Sequence, residues 1–64
     1  MGKLYEKYGY GKDFSYNKKE LASLYNQPNK WEYLGVEWEA YGDRQYFRNK
    51  ETNEVWSLYI SIGD

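Results

Sequence analysis

Residues 31–62 read WEYLGVEWEAYGDRQYFRNKETNEVWSLYISI, and two turns within them, together with the parity of their apolar positions, decide the fold. The dipeptide Gly42-Asp43 separates Glu37-Trp38-Glu39-Ala40-Tyr41 from Arg44-Gln45-Tyr46-Phe47-Arg48. Gly at the first central position of a two-residue loop suits a type II′ hairpin, because it adopts positive φ without steric cost. Pairing Tyr41 with Arg44 then sets Trp38 opposite Phe47 and Glu37 opposite Arg48. The second turn, Lys50-Glu51-Thr52-Asn53, ends on Asn, a residue that tolerates the left-handed region. It pairs Asn49 with Glu54 and therefore Phe47 with Trp56; a three-residue loop is the alternative and shifts this pairing.

Alternation supports that register. Leu34, Val36, Trp38 and Ala40 share one side of the first strand, and Trp56, Leu58, Ile60 and Ile62 share one side of the third. The expectation is a three-stranded antiparallel meander over about 31–41, 44–49 and 54–62, with Trp38, Phe47 and Trp56 as its core row. A short helix is expected over about 17–26. Asn17 and Glu20 have capping-box spacing, Tyr16 and Leu21 are placed as a hydrophobic staple, and Pro28 disfavours helix at Gln27. Leu21, Leu24 and Tyr25 form a stripe that covers the aromatic row. The fold class is thus α+β, one helix packed on the meander in a single domain spanning 1–64, with a small SH3-like barrel as the alternative. In residues 1–14, Gly9 and Gly11 argue against a continuous helix, and Leu4 and Tyr5 suit a short edge strand or a turn.

Composition narrows the chemistry. The 64 residues include neither Cys nor His, so disulfides and the usual zinc clusters are unavailable as staples, and burial of apolar rings has to stabilise the domain. Three Trp, nine Tyr and two Phe supply that area. No catalytic constellation is recognisable among the carboxylates, lysines, tyrosines and serines, and no cofactor or metal site is expected. Glu37 and Glu39 resemble a carboxylate pair only in spacing; a solvated cross-strand pattern with Arg48 and Tyr46 explains them. A net charge of −1 argues against a nucleic-acid partner held mainly through phosphates. The N-terminus lacks the apolar core of a signal peptide and no apolar run is long enough to span a bilayer, so a cytoplasmic location is expected. Heavy use of Lys, Asn, Tyr and Glu suits an AT-rich genome, such as that of a low-GC bacterium or its phage.

Two stretches resemble known modules. Gly42 to Trp56, with Gly-Asp-Arg, Tyr46-Phe47, Asn49, Thr52 and the final Trp, resembles the second half of a WW domain. That family is a three-stranded sheet that grips proline-rich peptides between a Tyr and the Trp, which implies Tyr46 or Phe47 with Trp56. The Thr52 to Trp56 spacing is one residue short, Lys50 stands where the family has His, and no proline follows Trp56, so the shared features are read as hairpin grammar. Lys7 to Phe14 is similar to the Tyr/Gly pattern of RNA-recognition motifs, but Gly9 and Gly11 are out of order and Asp13 has the wrong sign.

The sheet face opposite the core row carries the candidate site. Trp31, Tyr33, Tyr41, Arg44, Tyr46, Arg48 and Tyr59 fall there, the residue types enriched at binding hot spots. The function expected is a small non-enzymatic module, in the manner of a phage or low-GC bacterial accessory protein, that docks on a partner protein or on itself through this face. The alternative is a single-stranded nucleic-acid binder stacking bases on exposed tyrosines. Folding of the N-terminal fourteen residues across the same face is the competing use of those rings, and it makes them core.

Overall fold

The computed structural model describes residues 2–61. In chain order the elements are α1 (Lys3–Tyr8), β1 (Lys12–Asp13), a 3₁₀ turn (Phe14–Tyr16), α2 (Lys18–Asn26), a second 3₁₀ turn (Pro28–Lys30), β2 (Trp31–Glu39), β3 (Gly42–Asn49) and β4 (Val55–Ser61). The sheet has four strands in the order β1-β4-β3-β2 and is mixed, because β1 runs parallel to β4 while both hairpins are antiparallel. The three-stranded antiparallel expectation is corrected by that added edge strand. Ile62, expected at the end of the third strand, lies outside the described residues.

The second hairpin follows its turn signals. Phe47 pairs with Trp56, and Asn53 takes φ 64° at the end of the loop. Asn49 is buried, and its side-chain oxygen accepts from the amides of Glu51 (2.8 Å) and Thr52 (3.2 Å), which holds the turn shut. The helix expectation also holds at its start. Asn17 caps α2 by accepting from the Glu20 amide at 3.1 Å, and the helix ends at Asn26, before Pro28. Glu20 does not reach back to Asn17; its carboxylate instead takes Lys30 at 3.1 Å, which ties the helix to the start of β2. That contact with Lys30 holds the Glu20 carboxyl below its ordinary pKa. Tyr16 is exposed and staples nothing.

The first hairpin departs from its expected register. Its loop is Ala40-Tyr41, with Glu39 paired to Gly42, and Tyr41 is at φ 68°. Positive φ at the second central residue alone is the pattern of a type II turn, not of type II′. Gly42 is needed for another reason: a Cβ there would sit 2.4 Å from the Ile60 carbonyl and 2.7 Å from the Tyr59 hydroxyl. Trp38 consequently pairs with Asp43 and Glu37 with Arg44, while Arg48 pairs with Glu32.

A bulge completes the correction. Tyr33 pairs with Phe47 but the next pair is Gly35 with Tyr46, so Leu34 is an extra residue, and Gly35 carries φ 140°. One inserted residue reverses the side-chain parity of the strand. Trp31 and Tyr33 therefore lie on the Phe47–Trp56 face with Val36 and Trp38, and the rows across β2, β3 and β4 are Tyr33–Phe47–Trp56, Val36–Gln45–Leu58 and Trp38–Asp43–Ile60.

One half of this face holds the core. Phe14, wholly buried, contacts Trp31 and Trp56 at ring-centroid distances of 5.1 Å and Phe47 at 6.0 Å, and Leu21 and Leu24 of α2 pack around them. Asp13 positions Phe14 by capping the 3₁₀ turn, accepting from the Ser15 amide at 2.8 Å. Just upstream, Gly11 (φ 63°) lets the chain press against β4, since a Cβ there would lie 2.3 Å from the Val55 carbonyl. Gly11→Ala combines a left-handed backbone with that clash and is expected to lower stability by more than about 1 kcal/mol. A denaturant midpoint equal to wild type would show that β1 is not held in this register.

Candidate functional site

The N-terminal segment crosses the opposite face. The amides of Leu4 and Tyr5 donate to the Glu37 carboxylate (2.6 and 3.1 Å), and Ser57 Oγ donates to the Tyr10 carbonyl (2.7 Å). Under this cover Tyr46 is only 1% exposed. Burial, reinforced by the negative charges of Glu37 and Glu39, pushes the Tyr46 phenol above its ordinary pKa. The unfolded chain releases this proton at lower pH than the folded one, so the contribution is intact below the unfolded value and is lost as pH rises past about 10. Spectrophotometric alkaline titration is expected to show Tyr46 ionising late, together with unfolding; a Tyr46→Phe variant with an unchanged alkaline unfolding limb would contradict this.

Arg44 is the hub of the covered face. Its Nε donates to Glu39 at 2.9 Å, its Nη1 donates to Ser57 Oγ at 2.8 Å, and the same nitrogen lies 3.9 Å from Asp13. The guanidinium carbon sits 4.3 Å from the centroid of the Tyr10 ring and 5.5 Å from that of Tyr59, whose hydroxyl donates to the Ala40 carbonyl at 2.7 Å. A cleft of about 450 Å³ opens here between Tyr5, Glu37, Glu39 and Tyr59. The carboxylates of Glu37 and Glu39 already hold internal donors, and the Arg44 side chain is only 12% exposed. The arrangement is structural: it fastens β1 and the N-terminal segment to the sheet.

The seven residues expected to form one surface are thus dispersed. Trp31 and Tyr46 are core, and the Trp31 indole donates to Ser23 Oγ at 3.1 Å. Arg44 and Tyr59 are committed to the internal network, and Arg48 is paired with Glu32. Tyr33 and Tyr41 remain in the open, Tyr33 on the face with the core and Tyr41 at the tip of the hairpin.

The part of the sheet with the largest open apolar area is the half that α2 leaves uncovered. There Trp38 is 79% exposed, Tyr33 55%, Val36 49% and Ile60 42%, with Tyr25 of α2 at the margin. A groove of about 460 Å³ runs between helix and sheet, lined by Leu24, Tyr25, Pro28, Tyr33, Leu58 and Ile60. Two polar side chains interrupt the surface, Gln45 and Asp43 in the central strand. Asp43 Oδ1 is sealed from solvent and receives no hydrogen bond among the described residues. Parity reasoning placed Trp38 in the core and missed this surface; the signal that could have found it was the isolated Gly35 within a strand, which marks a bulge.

Fold and surface together define a small α+β domain with a mixed four-stranded sheet, one face closed by the N-terminal segment and the other half-covered by a helix. No family profile, curated protein or solved structure matches the chain. Among the described residues no helix is long and apolar enough to cross a membrane.

Proposed function

We propose that the chain is a small non-enzymatic protein-binding module whose working surface is the uncovered half of the Phe47–Trp56 face. The observation that carries this reading is the contiguous exposure of Tyr33, Val36, Trp38 and Ile60 beside the apolar groove. A small monomer rarely leaves so much adjoining aromatic and aliphatic area in water without a use for it. Tyr41 adds support, since a bulky exposed residue stands at φ 68°, where Asn or Gly would be less strained.

The chemistry of the face favours a protein over a nucleic acid. No Lys or Arg lies on this side of β2, β3 or β4, and Asp43 occupies its middle strand. Stacked bases would bring their phosphates to a surface without a basic track to follow them. The test compares wild type with the double variant Tyr33→Ser, Trp38→Ser, whose exposed positions keep the change in stability small. A protein retained from native lysate by wild type and lost by the variant, with no binding to single-stranded oligonucleotides at about 0.15 M salt, is the expected result. Retention of the same proteins by both forms, or oligonucleotide binding that the double variant abolishes, would overturn the reading.

A further inference from the structure

The row Trp38–Asp43–Ile60 shows what chemistry a partner must bring. Asp43 sits between an exposed indole and an exposed aliphatic chain, and it is the one charged side chain that β2, β3 and β4 place on this face. Its charge has no counter-ion on β2, β3 or β4: the arginines of the middle strand, Arg44 and Arg48, belong to the opposite face and form ion pairs there with Glu39 and Glu32. Directly opposed residues on neighbouring strands hold their Cβ atoms about 4.5–5.5 Å apart, so the Trp38 ring and the Asp43 carboxylate address the same volume. An indole face is the strongest aromatic acceptor of a cation, and a carboxylate is the matching counter-charge.

We propose, resting on the reading of this face as the docking surface, that Trp38 and Asp43 form a socket for a lysine or arginine side chain of the partner protein, set among apolar residues that fill the groove beside Ile60. A second copy of this chain is the poorer occupant. A two-fold interface would press two identical faces together, each with an Asp43 and neither with a cation, and would bury both carboxylates unpaired.

Selection of random dodecapeptides displayed on phage against the purified wild-type protein tests this. The expected consensus is a basic residue flanked by aliphatic or aromatic ones. For a selected peptide, Asp43→Asn lowers affinity about tenfold to a hundredfold, the scale of a hydrogen bond to a charged group, while the thermal midpoint stays level or rises. Replacing the basic residue with citrulline gives the same loss, and the two changes together are far from additive. A consensus without a basic residue, or affinity indifferent to Asp43→Asn, overturns the socket. If those peptides are nonetheless lost on Trp38→Ser, the docking face itself stands. Peptides indifferent to both Trp38→Ser and Tyr33→Ser, or no selected peptide at all, remove the docking face and the socket with it. A dimer in sedimentation that Trp38→Ser dissociates assigns the face to a second copy and also overturns the proposal.

Discussion

Phe14→Ala is expected to leave the chain largely unfolded at room temperature. Phe14 is wholly buried and joins three other rings, those of Trp31, Phe47 and Trp56, that belong to three different strands. Truncating a buried Phe to Ala costs about 3–5 kcal/mol, from lost transfer energy and the cavity left behind. A domain this short, with no disulfide, has a total stability of about that size. The cavity cannot collapse readily, because Gly11 and the Asp13 cap fix the backbone on one side of Phe14 and α2 packs on the other. Circular dichroism is the direct readout, and Phe14→Leu is the control, since it keeps most of the volume and is expected to fold with a lowered midpoint. A cooperative Phe14→Ala melt close to wild type would mean that the ring cluster does not hold the domain together.

Phe14 also shows where sequence reading ends. The second hairpin and the cap of α2 were legible because their signals are local: Asn53 at a left-handed turn position, Asn17 three residues before Glu20. Phe14 lies in a stretch with no period, and β1 beside it is two residues long and pairs in parallel with a strand more than forty residues away. Nothing local encodes such a contact. The first hairpin failed for a different reason. Gly42 reads locally as a turn residue, whereas a side chain there would meet the Ile60 carbonyl and the Tyr59 hydroxyl, and the loop is Ala40-Tyr41. The bulge at Leu34 and Gly35 then exchanged the faces of Trp31 and Tyr33, so that Tyr33 is exposed on the side of the sheet opposite to the one expected. Trp38 went the opposite way, from expected core to exposed indole.

Arg44→Ala is expected to be the most damaging change on the covered face, and it separates the two roles that an arginine amid tyrosines invites. On a docking surface, truncation would leave the melt unchanged and weaken binding. Here the side chain is 12% exposed, donates to Glu39 and Ser57, and is flanked by the Tyr10 and Tyr59 rings. Removing it strands the Glu39 carboxylate, itself only 25% exposed, and leaves Asp13 without its cation. Breaking a buried pair by deleting one member costs about 3–5 kcal/mol, and the residual exposure of Glu39 sets the expectation at the lower end. Deleting both charges is different. The double variant Arg44→Met, Glu39→Leu removes the orphaned carboxylate as well as the cation and is expected to recover most of the loss, since apolar groups of similar volume replace a buried ion pair at little net cost. Denaturant unfolding of Arg44→Met, Glu39→Leu and the double variant reads the coupling directly. If Arg44→Ala melts like wild type, the guanidinium is not the fastener of the N-terminal segment, and its place between the two tyrosines returns to candidacy as a binding site.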